Sequence, residues 1–431
     1  MMDDATRPPS RIFHAVTHVW GRPYLDFFLN VCIPNQLGPG NVPALPPGSR
    51  YRILTRSSHV DEIDSHPMVQ ALRRLIAVDI IVIEALDQFA DGPFGTELMI
   101  ACHQRAIADI LEDDAAIIML SADFVLSDNT LAAVVRRHRE GYRAVVNTGL
   151  RLAAETFVPA LKASGAPLAA LSSRQLVRMA MPHLHPHTRS MFADSQRFSK
   201  SPVAVYWPVG ENGLLARCFH LHPLMVDPMR AVPLHIGTND GPYLAEACPD
   251  FSRVHVVADS DELQMFEITT AERQVIGVTK SGLSSWRAAI VAERCDALQM
   301  HFWQSHPIRL HADVVDDRWH GIAATAETFA RRVVRERPHA GLADFWFKWS
   351  GKFGKRVGAY EKSLRRHSRR VSFGPVQRWA ARQMRTLERR RPILNVKRFQ
   401  RPVKLFVHRA AKASRLKLKR IHRRVRLLLP V

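Results

Sequence analysis

Residues 115–131 read AAIIMLSADFVLSDNTL, and the fold is predicted outward from this stretch. Residues 115–120 form a short continuous apolar run, which is typical of a strand buried on both faces. The run ends at Ser121-Ala122-Asp123, and Ser127-Asp128-Asn129 offer N-cap side chains for a helix over about 130–140. Ligands of open α/β sheets lie outside the carboxyl ends of the strands. Asp123 is therefore a candidate ligand-facing carboxylate, although an Asp that only caps a turn would give the same pattern.

Strand-like and helix-like segments alternate on both sides of this stretch. Short β-rich runs predict strands at 11–20, 51–55, 78–84 and 143–148. Periodic apolar positions predict helices at 24–31, 65–75 and 96–111. This rhythm predicts an α/β fold with a Rossmann-like, mixed but mostly parallel sheet flanked by helices. No GxGxxG follows the first strand, so a classical dinucleotide fingerprint is not indicated.

The second half of the body repeats the same kinds of element. Helical patterns cover 150–163, 172–181, 284–297 and 322–335. The turn sequence Gly210-Glu211-Asn212-Gly213 predicts a hairpin with strands at 203–207 and 214–220. A further strand is predicted at 251–258.

The positive charge is confined to the end of the chain. Residues 351–431 contain 27 of the 61 Lys and Arg and two of the 40 acidic residues, a balance of +25, which leaves −4 for the rest. Residues 401–429 interleave Lys and Arg with Leu, Val and Ile, the pattern of a basic amphipathic segment that suits an anionic membrane surface. A nucleic-acid arm is the less favoured alternative, because the last stretch has few aromatic residues, Phe399 and Phe406, to stack on bases. A solvated tail without a ligand is the third alternative.

Composition also excludes several classes of protein. The five cysteines are scattered without a CxxC pair, which argues against a disulfide framework or a structural zinc site. No stretch approaches the roughly 20 uninterrupted apolar residues of a membrane span. The N-terminus MMDDATRPPSR lacks the apolar core of a secretory signal. We expect a cytoplasmic protein that is peripheral at the inner face of the membrane.

Two groups downstream of Asp123 could share a site with it. In His220-Leu221-His222 on one strand, both imidazoles would point to the same face. One carboxylate and one such imidazole are enough protein ligands for a divalent metal, because the phosphates of the ligand complete its coordination shell. In Gly237-Thr238-Asn239-Asp240-Gly241, the glycines allow close approach of the backbone to a ligand. Ordinary strand-end residues and a plain surface turn would give these patterns too.

A rival pair of carboxylates, Asp259-Ser260-Asp261, also follows a predicted strand. It is a second candidate metal site. A helix N-cap before residues 262–266 is the alternative interpretation.

Together these features resemble a glycosyltransferase of the GT-A type, from a bacterial polysaccharide or lipopolysaccharide group, over about residues 10–320. The resemblance rests on the following motifs: His18-Val19-Trp20-Gly21, the helix 99–110 with His103 and Arg105, Ser121-Ala122-Asp123, and His220-Leu221-His222-Pro223.

The resemblance implies a nucleotide-diphospho-sugar donor, a glycan or lipid-linked acceptor, and a divalent metal, Mn²⁺ or Mg²⁺. Asp123 would face the metal, with His222 or His220 as a further ligand, and Ser121 takes the place of the first Asp of the family's Asp-x-Asp motif. Asp240, beside Asn239, would orient or deprotonate the acceptor hydroxyl. The donor-binding residues that the resemblance implies are Trp20, Gly21, Thr55, His103, Arg105, Ser121 and Asp123.

The predicted organisation has four parts: a lead-in (1–10), a GT-A-like catalytic domain (11–320), a helical connection (321–350) and a basic helical extension (351–431). The favoured function is a glycosyltransferase held at the membrane surface by its extension. The alternative is a non-catalytic protein of the same fold, whose extension binds nucleic acid or another polyanion.

Overall fold

The computed structural model describes residues 9–10, 12–89, 95–235, 237–272, 277–279, 281–305 and 307–338. The strands are β1 (Phe13–His18), β2 (Arg50–Thr55), β3 (Ala77–Val82), β4 (Ala116–Ser121), β5 (Phe124–Leu126), β6 (Ala144–Asn147), β7 (Leu150–Ala153), β8 (Ala204–Pro208), β9 (Gly213–Cys218), β10 (His222–Val226), β11 (Val254–Val256), β12 (Met265–Thr269) and β13 (Ile308–His311).

The α-helices lie between and after these strands, and a π-helical stretch, Phe28–Cys32, joins the first two. They are α1 (Arg22–Phe27), α2 (Ile33–Gln36), α3 (Val60–Ser65), α4 (Pro67–Arg73), α5 (Glu84–Phe89), α6 (Gly95–Glu112), α7 (Thr130–Arg139), α8 (Ala154–Ala163), α9 (Ser173–Ala180), α10 (Pro186–Arg189), α11 (Pro242–Ala247), α12 (Ser285–Ala292), α13 (Ala297–Gln304) and α14 (Asp317–Arg335).

The main sheet has seven strands in the order β11-β6-β10-β4-β1-β2-β3. Its neighbouring strands are parallel except for β10, which is antiparallel to both β4 and β6. The prediction of an α/β fold with a mostly parallel mixed sheet is confirmed. The basic extension predicted at 351–431 lies outside the described residues.

Strand β4 occupies the middle of the core, as its apolar run predicts. Its side chains from Ala116 to Leu120 are at most 2% exposed. Ile117 and Met119 pack in the same apolar cluster as α6, whereas Ile118 and Leu120 pack in the cluster of α1. Each fully buried aliphatic side chain contributes about 1.5–3 kcal/mol, so this strand holds both layers of helices on the sheet.

Two smaller sheets complete the fold. One has the order β5-β12-β7 and the other β13-β9-β8. Strand β5 of the first sheet follows β4 directly in the chain, and the turn at Ala122-Asp123 separates the two strands. The second contains the predicted hairpin of β8 and β9, which is antiparallel and paired from Ala204↔Cys218 to Pro208↔Leu214.

Several local predictions differ from the structure, among them the helix predicted over 284–297, which ends at Ala292. The helix predicted over 150–163 begins only at Ala154, because Leu150–Ala153 pairs with β12 as strand β7. The helix alternative at 262–266 is wrong, since Met265 begins β12. Helix α7 begins at Thr130 as predicted, but Asn129 is left-handed at φ 66° and no side chain caps its N-terminus. The second strand of the hairpin, predicted at 214–220, ends at Cys218.

Helix α14 belongs to the same compact unit as the sheets, and this unit ends at Arg337. It packs against α12 and β9. The helical connection predicted at 321–350 overlaps α14, and its residues from 339 onward lie outside the described residues. Within the described part of the chain, no helix combines the length and apolar character that crossing a membrane requires.

Candidate active site

The strand order of the main sheet reverses between β1 and β4. The chain runs from β1 outward to β2 and β3, and then returns to place β4 on the other side of β1. His18 at the carboxyl end of β1 pairs in register with Ser121 at the carboxyl end of β4. In open α/β sheets, ligands bind in the crevice that such a reversal forms at the carboxyl ends of the strands. Strand β4 and the turn at Ala122-Asp123 therefore lie at the carboxyl ends where such a crevice forms.

Histidines, amides and one carboxylate from five parts of the chain lie at this edge. We call them the strand-end cluster, and its members are His18, His103, Asn147, His220, His222, Asn239 and Asp240.

His18 and His103 form the first pair of the cluster. Their ring centroids lie 5.2 Å apart in an edge-to-face arrangement. Burial, reinforced by the neighbouring His222, lowers the pKa of His103 to about 4, and burial together with His103 and His222 lowers that of His18 to about 3. Both imidazoles are therefore neutral at physiological pH. The Nδ1 atom of His18 and the Nε2 atom of His103 are buried without a hydrogen-bond partner.

The loop after β10 fixes the tautomer of His103. The backbone N–H of Asn239 donates to Nδ1 of His103 at 3.2 Å, so the ring proton resides on Nε2. The Nδ2 group of Asn239 is also buried without a partner. Gln104, next to His103 on α6, donates to the carbonyl of His235 at 2.9 Å and holds the same loop on the helix.

His222 begins β10 in the main sheet. It pairs in register with Asn147 at the end of β6, so the two side chains lie on the same face. Its Nε2 donates to the carbonyl of Met119 at 3.2 Å, and Nδ1 keeps its lone pair. Burial lowers the pKa of His222, which favours the neutral ring. Both polar atoms of the Asn147 side chain, which is 1% exposed as a residue, lack partners.

His220 lies in the connection between β9 and β10, on neither strand. Its Nε2 is 3.0 Å from Oδ2 of Asp240, and the Thr238 hydroxyl donates to the other oxygen of that carboxylate. Burial alone would raise the pKa of Asp240, but these two hydrogen bonds and the nearby His222 hold it well below its usual range. Asp240 is therefore an ionised carboxylate at neutral pH, bound to an imidazole.

Asp123 lies in the turn between β4 and β5, and it is 9% exposed. Burial, followed by the charge of Glu267, raises the pKa of Asp123 to about 7, while the Ser121 hydroxyl and Arg151 act in the opposite direction. Its Oδ1 atom is buried without a hydrogen-bond partner. Glu267 on β12 forms an ion pair with Arg151 at 2.9 Å, and its charge also acts on His222.

The remaining predicted donor-binding residues have separate positions. The Trp20 ring packs on His18 at 5.6 Å, and Gly21 adopts φ +80° immediately before α1. Thr55 is fully buried and donates to the carbonyl of Val19 at 2.8 Å. Arg105 donates to Asp109 one turn further along α6, at 2.8 Å. The structure thus brings Trp20 to the cluster, whereas Thr55 and Arg105 are engaged in bonds outside it.

The metal ligands that the sequence predicts do not form a compact group. In the described ranges, three potential ligand atoms come within 4.8 Å of one another at Asp259, Asp261 and His311. The atoms of Asp123, His220 and His222 do not meet that condition. The pKa of Asp123 leaves much of it protonated at pH 7, and His220 is bound to Asp240. The cluster therefore does not fit a preformed divalent-metal site.

The rival group at Asp259 and Asp261 is compensated by arginines. Arg309 lies 2.9 Å from Asp259, and Arg174 donates to both oxygens of Asp261 at 2.9 and 2.7 Å. His311 bonds to Asp259 at 2.9 Å. Each charge in this group has a partner within the protein, which is the arrangement of a structural network.

Sequence reasoning missed Asn147 and Glu267 in this region, and it named His18 in a motif of the resemblance without giving it a role. His18 and Asn147 are the last residues of β1 and β6, and the rule that ligands lie at carboxyl ends was a sufficient signal for both. Glu267 carried no such signal, because it reaches Asp123 through a strand that was not predicted.

Compared with protein-family models and with curated proteins, the chain shows no match that would place it in a family.

Proposed function

We propose that the protein is a GT-A-type glycosyltransferase that binds a nucleotide-diphospho-sugar in the crevice between β1 and β4. The observation that carries the proposal is the set of buried donors without partners at this crevice: the Nε2 group of His103 and the amide groups of Asn147 and Asn239. A buried donor without an acceptor costs about 1–3 kcal/mol. A ligand rich in acceptor oxygens, as diphosphates and sugars are, would recover that cost on binding.

The charge of the cluster suits group transfer to a hydroxyl. The imidazoles of His18 and His103 are neutral, so they would donate to phosphate and sugar oxygens without holding the diphosphate product as an ion pair. Asp240 supplies an ionised carboxylate for the step in which the acceptor hydroxyl loses its proton. The divalent metal that the resemblance implies stays a prediction, which binding measurements with and without Mn²⁺ address.

The proposal is tested by binding a panel of nucleotide-diphospho-sugars and free nucleoside diphosphates to the full chain, each with and without Mn²⁺. A member that binds the native state should raise the free energy of unfolding by about 2.7 kcal/mol at a concentration of 100 Kd. D123N should weaken this effect at least tenfold in Kd. D261N is the matched control, since it makes the same change in the arginine-compensated group and should bind as the wild type does.

Two outcomes contradict the proposal. Binding of no member of the panel would remove the donor site and favour the non-catalytic alternative, which Ser121 in the place of a carboxylate supports. A loss caused by D261N and not by D123N would move the site to the rival group.

The membrane assignment concerns residues 351–431, so it stays a sequence-based proposal. Each Lys or Arg near an anionic surface contributes about 1 kcal/mol. A chain ending at residue 350 should therefore fail to sediment with phosphatidylserine-containing liposomes at a salt concentration where the full chain does sediment. Retained sedimentation, or preference of the full chain for RNA over these liposomes, contradicts this assignment.

A further inference from the structure

We propose that His220 is the general base that takes the proton of the acceptor hydroxyl, and that Asp240 is the positioning residue that orients it. The inference rests on the proposed function and deepens it, because it assigns the proton transfer to a residue that the resemblance implies as a metal ligand.

The geometry of the pair assigns the roles of its atoms. A carboxylate oxygen only accepts, so the 3.0 Å contact between Oδ2 of Asp240 and Nε2 of His220 places the ring proton on Nε2. The Nδ1 atom of His220 then carries the lone pair. Asp240 is itself fixed, because the Thr238 hydroxyl donates to its Oδ1. A nucleophile or base whose partner is oriented by a third group is the recurring arrangement in proton-transfer sites.

A carboxylate partner together with an accessible ring distinguishes His220 from the other three histidines of the cluster. The side chains of His220 and Asp240 are 31% and 30% exposed, so an acceptor can reach this ring. His103 is 5% exposed and receives the backbone N–H of Asn239 on its lone-pair nitrogen. The Nε2 proton of His222 is held by a backbone carbonyl, and His18 packs between Trp20 and His103. Among these four, His220 combines a carboxylate partner with an accessible ring.

Asp240 is poorly suited to be the base itself. Both of its oxygens accept hydrogen bonds, and they hold its pKa well below that of an ordinary carboxyl group. A group that binds protons so weakly gives little driving force for proton abstraction. Its ionised state instead stabilises the imidazolium that forms when His220 takes the proton, as in other carboxylate–imidazole pairs.

The chemical step is a single displacement. The acceptor oxygen forms a bond to the anomeric carbon while its proton moves to Nδ1 of His220. The bond between the anomeric carbon and the diphosphate oxygen breaks, and its electron pair leaves on the nucleoside diphosphate. The imidazolium later returns its proton to water. One displacement on the opposite face of the sugar inverts the anomeric configuration.

The test uses the full chain and the nucleotide-sugar that binds most tightly in the panel above, with water as the acceptor and release of nucleoside diphosphate as the readout. General-base catalysis contributes typically 10²–10⁴-fold. H220A should lower kcat by about this factor while the KM for the donor changes less than threefold, and added imidazole should restore part of kcat. D240N should lower kcat with the same KM pattern. H320A removes an exposed histidine and is the control.

The outcomes separate the two proposals. Turnover by H220A at the wild-type rate overturns the assignment of the base while the transferase proposal stands. So does a loss in H220A that imidazole leaves unchanged, or a product that retains the anomeric configuration. If the wild type binds no nucleotide-sugar, the transferase proposal itself has failed. Melting temperatures of H220A and D240N close to the wild type show that the losses are not caused by unfolding.

Discussion

Two regions at opposite ends of the strands of the main sheet differ in whether their buried polar groups have hydrogen-bond partners. At the amino ends of the strands, Asp227 is fully buried, and its carboxylate accepts from the Ser10 backbone and hydroxyl and bonds to His138 at 2.8 Å and Arg143 at 3.2 Å. At the carboxyl ends, the strand-end cluster leaves atoms of His103, Asn147 and Asn239 without partners. We call the first region the Asp227 network; its members are Ser10, His138, Arg143 and Asp227.

From this difference we assign stability to the first region and the proposed ligand binding to the second. The Asp227 network ties the chain before β1 to the ends of α7, β6 and β10, and its satisfied bonds leave nothing for a ligand to gain. The strand-end cluster pays a desolvation cost in the unliganded protein that a ligand can recover. Substitutions at the first region should therefore lower stability, whereas substitutions at the second should change binding with little loss, or a gain, of stability.

The largest expected effect is on the Asp227 network. D227N removes the charge that compensates the buried Arg143, which is 3% exposed, and leaves that guanidinium in a low-dielectric environment. Breaking a buried ion pair in this way costs about 3–5 kcal/mol. Urea unfolding at pH 7 should show a loss of this size in the free energy of unfolding.

The matched control for D227N is D250N. Asp250 is 49% exposed and lies 3.9 Å from Arg253, so the same chemical change should leave the free energy of unfolding close to that of the wild type. Equal effects of the two substitutions would contradict the assignment of the Asp227 network to stability.

Much of this architecture was predictable, because it depends on local pattern. The apolar run of β4 and the periodicity of α6 predict their elements within one or two residues. The rule about strand ends placed Asp123 near the crevice. Distant partners were not predictable in the same way. His220 and His222 are two residues apart in the chain, yet one bonds to Asp240 and the other begins a strand of the main sheet.

The failure at His220 and His222 has a physical cause. Alternation of side chains holds only within one continuous strand. Here β9 ends at Cys218, and β10 begins at His222, so the chain leaves one sheet and enters another within three residues. Likewise, the apolar residues of β7 fit a helical pattern, and only pairing with β12 selects the strand. Such selection depends on tertiary contacts that a single sequence does not display.

The two regions should also differ in how the free energy of unfolding changes as the pH falls below 6.5. Burial lowers the pKa of His103 to about 4 from 6.5, so between these pH values the unfolded chain binds a proton that the folded chain does not. The contribution of His103 to the free energy of unfolding is therefore complete above pH 6.5 and is lost as the pH falls towards 4. At 1.36 kcal/mol per pKa unit, the loss is about 3 kcal/mol. In H103Q, the decline of the unfolding free energy between pH 6.5 and 4 should be smaller by about this amount.

Asp227 should respond at lower pH than His103. Despite burial, its hydrogen bond to His138 and the charge of Arg143 lower the pKa of Asp227, so its contribution is complete above the ordinary carboxyl range and is lost only below it. The difference between wild type and D227N should thus persist at pH 5, where the contribution of His103 has already declined. A decline between pH 6.5 and 4 that is as steep in H103Q as in the wild type would show that His103 binds its proton equally in both states.

The smallest expected change in stability has the opposite sign, and it tests the comparison most directly. Asn147 is buried with both side-chain polar atoms unpartnered, so N147L replaces it with an apolar group of similar size at no cost in hydrogen bonds. Removing an unsatisfied buried group should raise the free energy of unfolding by about 0.5–2 kcal/mol. The same variant should bind the nucleotide-sugar at least tenfold more weakly, because the amide is then missing from the crevice. Urea unfolding with and without the ligand measures both quantities in one titration. A loss of stability in N147L would show that Asn147 supports the fold as Asp227 does, and the two edges would then not differ in kind.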